Sequence, residues 1–288
     1  MKQDPKKYWL IFAVLVLFIC VIFLISLEVF KKDKVLTFAM LDVGQGDALF
    51  IESPTGKQIL VDAGPPGAVM KELSKRMPIF DRSIDMIIIT NPDADHIAGF
   101  LEVLKVYKVG AVLEPGTTND SKTYEKLERM IQEKNIPKNL AKAGMNIDMG
   151  GGAYLEILFP DRDVSEWERN DGSIIMKLVY GENSIMLTGD ATITTEQIIL
   201  DKYPAEFLDV DILKVGHHGS YTSTRDSFVK ALSPKYALVS LGKDNTYGHP
   251  HIETMDTLNK LGAEILRTDL VGTIIFKSDG KTLSRQNF

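Results

Sequence analysis

The chain has 288 residues but a single cysteine, Cys20, and this scarcity excludes two kinds of structure. One cysteine cannot form an internal disulfide, and it cannot build a zinc site from several thiolates. Internal repeats, low-complexity tracts and linker-like breaks are also missing from residues 35–288. With 44% apolar residues the chain is too apolar to be disordered, so residues 35–288 are predicted to form a single globular domain.

Positive charge is scarce over most of the chain. The first 34 residues carry six lysines and three acidic residues, which is a net charge of +3. Because the whole chain has a formal net charge of −6, the remaining residues carry −9. A basic domain that coats nucleic acid is therefore excluded. Any chemistry on a phosphate group would need a local cation to offset this negative field.

One long apolar run lies near the N-terminus. Tyr8 to Leu27 spans 20 residues without a charge, and at about 1.5 Å per residue such a helix matches a hydrocarbon core of roughly 30 Å. A core helix would carry a polar face, and a cleaved signal peptide usually has an apolar stretch of about 7–15 residues. We therefore predict a short tail over residues 1–7 and a transmembrane anchor over residues 8–30, before the domain of residues 35–288.

The orientation of this anchor is harder to read, because lysines flank the run on both sides and nearly balance the positive-inside rule. A short cytoplasmic tail with the large domain outside the cell is the simpler interpretation. The sequence thus predicts a single-pass protein of the cell membrane, with its catalytic domain extracellular and with the membrane as its partner. No stable protein partner is inferred.

Strand and helix signals alternate along residues 35–288. Strands are predicted over residues 35–41, 48–52, 58–61, 84–89, 110–113, 153–159, 174–180, 184–187, 212–215, 237–241, 264–266 and 272–276. Helices are predicted over residues 96–107, 122–134, 194–202, 224–232 and 252–261. Strand clusters interspersed with helices over about 250 residues favour an α/β sandwich of two sheets flanked by helices.

Histidine and aspartate cluster where predicted strands end. All five histidines lie in three short segments that follow apolar strands, namely His96, the pair His217 and His218, and the pair His249 and His251. Carboxylates accompany them at Asp93, Asp95 and Asp190. A lone histidine is usually structural, and Asp95 on its own is equally consistent with a helix cap. Imidazole and carboxylate together at strand ends are the ligands of a zinc, manganese or iron site, so the joint arrangement favours a metal centre.

The order of short motifs points to a family. The motifs are Asp-Val-Gly-Gln-Gly-Asp-Ala (42–48), Leu-Val-Asp-Ala-Gly (60–64), Asn-x-Asp-x-Asp-His (91–96), Asn-Asp-x-Ser (170–173), Leu-Thr-Gly-Asp (187–190), Lys-Val-Gly-His-His-Gly-Ser (214–220) and Asn-x-Tyr-Gly-His-Pro (245–250). This order resembles the metallo-β-lactamase superfamily, and more narrowly the C-terminal hydrolase domain of ComEC-type competence (DNA-internalisation) proteins. The resemblance covers essentially all of residues 35–288 and implies a metallo-β-lactamase-like αββα sandwich.

The sequence departs from the superfamily signature His-x-His-x-Asp-His. Asn91 and Asp93 stand where the first two histidines belong, and no histidine lies near Asn170–Ser173 to supply a third. The resemblance implies that the ligands Asp95, His96 and His217 form one firm site with Asp190 as a bridging carboxylate. Asp93, Asp190 and Asn91 would then line a weaker second site, in which only oxygen donors are offered. Oxygen donors suit manganese better than zinc, so Zn²⁺ or Mn²⁺ is the expected cofactor.

The remaining motif residues are assigned to catalysis or support. Asp93 and Asp95 are predicted catalytic residues, with Asp93 as a general base, and His218 or His249 would stabilise developing charge or protonate the leaving group. The residues expected to support the site or to contact substrate are Asp42, Gln45, Asp47, Asp62, Asn91, Asn170, Ser173, Lys214, Ser220, Asn245 and Tyr247. Asp62 is expected to brace a ligand histidine, whereas Lys214 either neutralises phosphate or is a surface lysine. The glycines at 44–46 form either an anion-binding turn or simply a tight turn.

These patterns predict a membrane-anchored, metal-dependent hydrolase that attacks phosphodiesters with a metal-activated water. The resemblance suggests DNA as the substrate and a role in DNA uptake or processing. Two alternatives stay open: the hydrolysis of a cell-envelope phosphodiester, such as a phosphocholine or teichoic acid ester, and a non-catalytic metal-binding remnant. A β-lactamase activity is not expected, because those enzymes depend on the histidines replaced here.

Overall fold

A computed structural model describes residues 5–30 and 35–286 of the chain. Parts of two predictions, residues 1–4 of the N-terminal tail and residues 287–288 of the domain, lie outside the described residues. The contacts within the chain divide it into two compact units, Met1–Lys34 and Val35–Phe288.

The first unit contains one helix, α1 (Pro5–Phe30). Between Trp9 and Leu24 every side chain of this helix is exposed, and the large ones are apolar. Across the described ranges, no helix is both long enough and apolar enough to cross a membrane. The transmembrane anchor predicted over residues 8–30 is therefore not confirmed.

The second unit is built from short strands and helices. Its strands are β1 (Leu36–Met40), β2 (Leu49–Glu52), β3 (Gln58–Val61), β4 (Ser83–Ile84), β5 (Met86–Ile88), β6 (Lys108–Val109), β7 (Val112–Glu114), β8 (Lys138–Leu140), β9 (Asn146–Gly150), β10 (Ala153–Phe159), β11 (Ile175–Tyr180), β12 (Asn183–Leu187), β13 (Ile212–Lys214), β14 (Tyr236–Val239), β15 (Glu264–Arg267), β16 (Ile274–Ser278) and β17 (Leu283–Gln286). Its helices are α2 (Ala68–Ser74), α3 (Ala94–Ile97), α4 (Phe100–Val106), α5 (Lys122–Glu133), α6 (Ile193–Lys202), α7 (Ala205–Leu208), α8 (Asp226–Leu232), α9 (Ile252–Lys260) and α10 (Thr268–Val271), with a 3-10 turn at Gly216–Gly219.

Two large sheets organise this unit. The first has the strand order β17-β16-β1-β2-β3-β5-β7-β8, and the second has the order β15-β14-β13-β12-β11-β10-β9. The period-2 alternation of strand side chains explains how both faces of each sheet become buried. In β1, Phe38 packs into the cluster between the sheets while Ala39 packs under the helices on the other side. In β14, Leu238 packs into the cluster between the sheets, while Val239 packs into a cluster on the opposite face of the second sheet. The layers are therefore helix, sheet, sheet, helix, which confirms the predicted α/β sandwich.

Both sheets contain a parallel half. Strands β3, β5, β7 and β8 run parallel in the first sheet, and β12, β13, β14 and β15 run parallel in the second. The carboxyl ends of neighbouring parallel strands emerge at the same edge of a sheet, which is where open α/β sheets carry their ligand sites. The loops after these strands therefore bring together side chains that are far apart in sequence.

Several predicted elements are shorter or divided. The strand predicted over residues 84–89 is reduced to β5, and Ser83–Ile84 pairs instead with β6. The helix predicted over residues 96–107 forms two short helices, α3 and α4, separated by Ala98 and Gly99. Gly99 packs so closely on the preceding loop that a Cβ atom there would lie 2.1 Å from the Ala63 carbonyl oxygen. The sequence patterns also missed β8, β9 and β17, whose side chains are largely exposed or mixed in polarity.

Candidate metal centre

The candidate site lies where loops at the carboxyl ends of strands from both sheets converge. Asp62 follows β3, the pair Asp95 and His96 begins α3 after β5, and Asp190 follows β12. The fourth loop follows β13 and carries His217 and His218 in the 3-10 turn.

His96 is completely buried and is held by two carboxylates. Its Nδ1 atom donates to Asp62 Oδ2 over 2.9 Å, and its Nε2 atom lies 3.0 Å from Asp190 Oδ2. Thr90 holds Asp62 in place by donating its backbone N–H (2.8 Å) and its hydroxyl (2.5 Å) to the carboxylate. Burial disfavours the charged imidazole, but Asp190 and Asp62 outweigh it and raise the pKa of His96 well above its ordinary value. Without a metal ion the ring is therefore protonated, and its Nε2–H group faces Asp190. A metal ion at Nε2 would replace that proton, while the hydrogen bond from Nδ1 to Asp62 fixes the orientation of the ring.

Asp190 is the carboxylate that the histidines share. Besides its contact with His96, its Oδ2 atom lies 3.6 Å from His218 Nε2 and 4.0 Å from His217 Nε2. Its Oδ1 atom lies 3.7 Å from the ammonium group of Lys214. Burial alone would raise the pKa of Asp190, but the charges of His96, His218 and Lys214 hold it well below its ordinary value. Asp190 is therefore an anion at neutral pH.

His218 completes the inner group. Its ring is buried, its Nδ1 atom donates to the carbonyl oxygen of Ser240 over 2.9 Å, and its Nε2 atom lies 3.3 Å from Asp95 Oδ2. As in His96, the hydrogen bond from Nδ1 fixes the ring so that Nε2 faces the carboxylates. The imidazole nitrogens of His96 and His218 thus lie beside the carboxylates of Asp95 and Asp190, and these side chains come from three different loops.

The residues present fit a divalent cation. Among the described residues, the buried atoms without a hydrogen-bond partner include His96 Nε2, His218 Nε2 and Asp190 Oδ1. Ligand atoms of Asp95, His96 and His218 all lie within 4.8 Å of one another, as do those of Asp47, Asp190 and His218. Acceptor atoms that crowd together while buried and unpaired are costly unless a cation lies between them. Mixed imidazole and carboxylate donors suit zinc, manganese or iron, and the predicted ions Zn²⁺ and Mn²⁺ are both among these.

The two adjacent histidines differ in position. Both have a positive φ, 44° for His217 and 52° for His218, a backbone conformation that is uncommon for non-glycine residues. The turn buries His218 against Asp95 and Asp190, whereas the side chain of His217 stays 25% exposed and its Nδ1 atom pairs with Thr222 Oγ1 at 3.0 Å. The structure therefore places His218 inside the ligand group and His217 at its edge. The sequence analysis named His217 as the metal ligand and His218 as a catalytic residue, and that assignment stays a prediction.

Lys214 lies beneath the site and is completely buried. Its ammonium group pairs closely with the carboxylate of Asp47 and donates to the Gly189 carbonyl oxygen over 2.6 Å. Burial lowers the pKa of a lysine, but Asp47 and Asp190 outweigh that effect and raise the pKa of Lys214. The interpretation of Lys214 as a surface lysine is wrong, because β13 buries it. Its charge acts on Asp190 from inside the protein.

Two of the three residues predicted for a second, oxygen-lined site, Asp93 and Asn91, already make hydrogen bonds within the protein. Asp93 Oδ1 accepts hydrogen bonds from Asn119 Nδ2 (2.7 Å) and from Arg169 Nε (2.6 Å). The Asn91 side chain accepts from the backbone N–H of Asp93 (2.9 Å) and donates to Asn170 Oδ1 (2.8 Å) and Ser173 Oγ (3.3 Å). Burial raises the pKa of Asp93, and the charge of Arg169 opposes that rise. Asn119 and Arg169 were not identified from the sequence, and only the position of Arg169 beside the Asn170 motif gave any signal.

A cavity of about 330 Å³ opens above the ligand group. Its walls include Gln45, Asp93, Ala94, Asp95, Asn119, Ser121, Asn170, Asp190, His217, His218, Tyr247 and His249. Asn245 shapes the outer loop, since its side chain donates to the His249 carbonyl oxygen (2.8 Å) and accepts from the His249 N–H (3.1 Å). Burial, reinforced by the imidazoles of His217 and His218, lowers the pKa of His249 to about 4. His249 is therefore a neutral ring on the cavity wall at pH 7.

The other predicted support residues lie further out. Asp42 is exposed and accepts from the backbone N–H of Gly44 at 3.3 Å, and among the described residues it is not part of the cavity wall. Ser220 is buried and contacts Thr222, so it supports the histidine turn rather than facing the cavity. Gly46 is required for close packing, because a Cβ atom there would lie 2.0 Å from the Asp95 carbonyl oxygen. The turn at 44–46 thus packs directly on the loop that carries Asp95.

Comparison with known proteins agrees with this architecture. Residues 41–243 match the family described as the metallo-beta-lactamase superfamily. The chain belongs to this superfamily. Among solved structures, the metallo-beta-lactamase fold protein YhfI from Bacillus subtilis covers 84% of this chain and 100% of its own, with a TM-score of 0.54 and 13% identity. At that identity the similarity shows the shared fold.

Several curated relatives carry names from competence or recombination. ComE operon protein 3 of Bacillus subtilis is 30% identical over 256 residues, which is 83% of this chain and 32% of that protein. Recombination protein 2 of Haemophilus influenzae is 30% identical over 239 residues, covering 81% of this chain and 28% of that protein. Competence protein ComA of Neisseria gonorrhoeae is 26% identical, covering 82% and 31%. The chain thus spans about a third of the length of these relatives, and the predicted resemblance to competence proteins of this superfamily is confirmed. Family and fold support the coarser prediction of a metal-dependent hydrolase.

Proposed function

We propose that the domain hydrolyses phosphodiesters with a divalent ion held by Asp95, His96, Asp190 and His218. The observation that carries this proposal is the convergence of buried, unpaired acceptor atoms at the floor of an open cavity. When bound, a divalent ion supplies Lewis acidity toward a phosphoryl oxygen and makes water more acidic. The protein's part is to hold the ligands and to place the diester.

Hydrogen bonds from the ring nitrogens that face away from the centre fix the orientation of the two ligand histidines. Asp62 fixes the ring and the tautomer of His96, and the Ser240 carbonyl oxygen does the same for His218. Asp93, on the cavity wall, is suited to accept a proton from water, because burial raises its pKa toward the working range of a general base. The neutral His249 offers a hydrogen bond to the departing oxygen rather than a proton at pH 7.

DNA is the substrate that the relatives favour. Two of them are named as competence or recombination proteins, and a phosphodiester is the bond that such proteins meet in nucleic acid. The net charge of −9 on residues 35–288 opposes a general attraction to polyanions. Binding is therefore proposed to be local, at the cavity, where the metal ion and Arg169 offset the surrounding acidic field.

The experiment uses the full-length chain loaded with Mn²⁺ or Zn²⁺ and compares single-stranded DNA, double-stranded DNA and bis(p-nitrophenyl) phosphate. Cleavage is expected with metal, is expected to stop with EDTA, and is expected to fall by at least about 100-fold in Asp190→Asn. An Asp163→Asn variant, changed at an exposed loop carboxylate, is the control and keeps the wild-type rate. Firm metal binding without cleavage of any diester would replace the proposal with the non-catalytic alternative.

Membrane attachment is proposed as a separate property. The exposed apolar side chains of α1 from Trp9 to Leu24 support association with a lipid surface. Cell fractionation with and without residues 1–34 tests this, and recovery of both forms in the soluble fraction would contradict it.

External protease added to intact cells tests the extracellular orientation, and a protected domain would contradict it. An outward-facing domain that cleaves no DNA would favour the cell-envelope phosphodiester.

A further inference from the structure

The side chain of Arg169, which directly precedes the motif of residues 170–173, contacts Asp93 beside the candidate metal centre. Its Nε atom donates to Asp93 Oδ1 over 2.6 Å, and Asn119 donates to the same oxygen over 2.7 Å. Asp93 is the N-cap residue of α3, yet its side chain makes no capping hydrogen bond. The carboxylate is therefore turned away from the helix and toward Arg169, on the wall of the cavity.

This ion pair lies where the sequence analysis predicts a second, weaker metal site. The side of the centre that lacks the superfamily's histidines offers Asp93 and Asn91, and hydrogen bonds within the protein engage both. A cation that bound Asp93 Oδ1 would have to displace both Asn119 and Arg169. The guanidinium group already supplies positive charge at this position, and unlike a metal ion it cannot be removed by a chelator.

Arg169 also retains unused hydrogen-bond donors. Its side chain is 44% exposed, and within the described part of the chain its terminal amino groups have no partner. A guanidinium group has five N–H donors in a planar fork that matches the oxygens of a phosphate group. With Nε engaged by Asp93, the two terminal amino groups are left to bind an anion next to the cavity.

We propose that Arg169 takes the electrostatic role of a second metal ion. The centre then binds a single divalent ion, and the terminal amino groups of Arg169 bind a non-bridging oxygen of the phosphodiester. The one-ion statement stands on the contacts of Asp93 and Asn91 alone, whereas the phosphodiester contact rests on the proposed function.

Metal binding tests the first statement without any substrate. Mn²⁺ is titrated calorimetrically into the full-length chain and into Arg169→Gln, and bound metal is counted after desalting. Wild type is expected to bind one ion per chain. Arg169→Gln is expected to bind a second, because Asp93 then loses its charged partner and is held by Asn119 alone. The double variant Arg169→Gln with Asp93→Asn is expected to bind one again. Two ions in wild type, or one ion in Arg169→Gln, would overturn the proposal.

Arg162→Gln is the matched control, because Arg162 is 51% exposed and pairs through its Nε atom with Asp161 at 2.7 Å. It is expected to bind one ion, and a second ion there would overturn the assignment to Arg169. If Arg169→Gln does not fold, as judged by its thermal transition, Arg169→Lys takes its place. The lysine keeps the charge, so one ion is expected, and two would overturn the proposal.

Dimethyl phosphate, which is a diester that the enzyme need not cleave, tests the contact with substrate. The metal-loaded wild type is expected to bind it at least about tenfold more tightly than Arg169→Lys, which lacks the two-pronged donor. Equal affinity would overturn the contact. Failure of the proposed function would be recognised separately, because wild type would then cleave no diester while the one-ion and dimethyl phosphate results still held.

Discussion

The Nε2 atom of His96 and the Oδ2 atom of Asp190 lie 3.0 Å apart, yet Nε2 has no hydrogen-bond partner. Asp62 accepts the hydrogen bond from the other ring nitrogen, at 2.9 Å, and this contact aims Nε2 at Asp190. Nε2 and Oδ2 are thus held face to face in the protein interior, where the contact is favourable only with a proton or a metal ion between them. This relationship makes the centre sensitive to changes in residues that never contact an ion.

The first prediction concerns Asp62. Replacing Asp62 with Asn removes the negative charge and one of the two acceptor oxygens that Thr90 and His96 share, while the side chain keeps nearly the same volume. The affinity for Mn²⁺ or Zn²⁺ is expected to fall by about 10- to 100-fold, the usual cost of losing such a partner. Calorimetric titration measures the change, and Asp42→Asn, changed at an exposed carboxylate outside the cavity wall, is the control. Equal affinities in wild type and Asp62→Asn would contradict the role given to Asp62.

The second prediction separates the adjacent histidines. His218→Ala removes a buried imidazole whose Nε2 atom lies 3.3 Å from Asp95 Oδ2, and it is expected to lower metal affinity by at least about 100-fold. His217→Ala removes a ring at the edge of the group, 4.0 Å from Asp190, and is expected to cost about tenfold. Metal titration of both variants decides the order. The reverse order would restore the assignment that the sequence motif suggested.

The third prediction concerns the buried pair of Lys214 and Asp47. Lys214→Met leaves the Asp47 carboxylate buried without its cation, so the free energy of unfolding is expected to fall by about 3–5 kcal/mol. Adding Asp47→Asn removes the stranded charge and is expected to recover part of this loss. Denaturant unfolding measures both changes. Lys202→Met, at a partly exposed lysine 3.6 Å from Asp161, is the control and is expected to cost at most about 1 kcal/mol. A change in Lys214→Met no larger than in this control would contradict the prediction.

The fourth prediction is a pH dependence at Glu196, a buried residue of α6. Its carboxylate accepts from the backbone N–H of Thr224 and of Arg225 behind the histidine turn, the latter at 3.0 Å, and burial raises its pKa to about 7. Between pH 4.5 and pH 7 the folded state therefore holds a proton that the unfolded state has lost, so this group makes stability fall as pH rises through that window.

Glu196→Gln removes this titration. For each protein, the free energy of unfolding at pH 5 is subtracted from that at pH 8. This difference is expected to be more positive in Glu196→Gln than in wild type, by up to about 3 kcal/mol. The free energy of unfolding at a single pH is not the test. The amide group of glutamine replaces one of the two carboxylate oxygens that accept hydrogen bonds, so the variant also loses an acceptor. Denaturant unfolding across the pH range measures the difference, and parallel pH profiles for the two proteins would show that Glu196 does not titrate in this window.

Local patterns in the sequence were enough for much of the fold. The apolar runs at Gln58–Val61 and Ala153–Phe159 form strands with the predicted bounds, because strand residues that alternate between two buried faces leave a readable pattern. The helix predicted over residues 96–107 failed where Gly99 meets the Ala63 carbonyl oxygen, a contact made by a different loop. Periodicity reports which face of an element is buried, and it carries no information on what the element packs against.

By itself, the sequence determined the superfamily, the two-sheet sandwich and the placing of every histidine after a strand, because these depend on local composition and motif order. Only the tertiary structure decided which histidine of the 217–218 pair turns inward, that Lys214 is buried against Asp47, and that Arg169 pairs with Asp93. Each of these depends on a distance between loops from separate strands. Such distances are set by how the two sheets pack, and no short stretch of sequence records them.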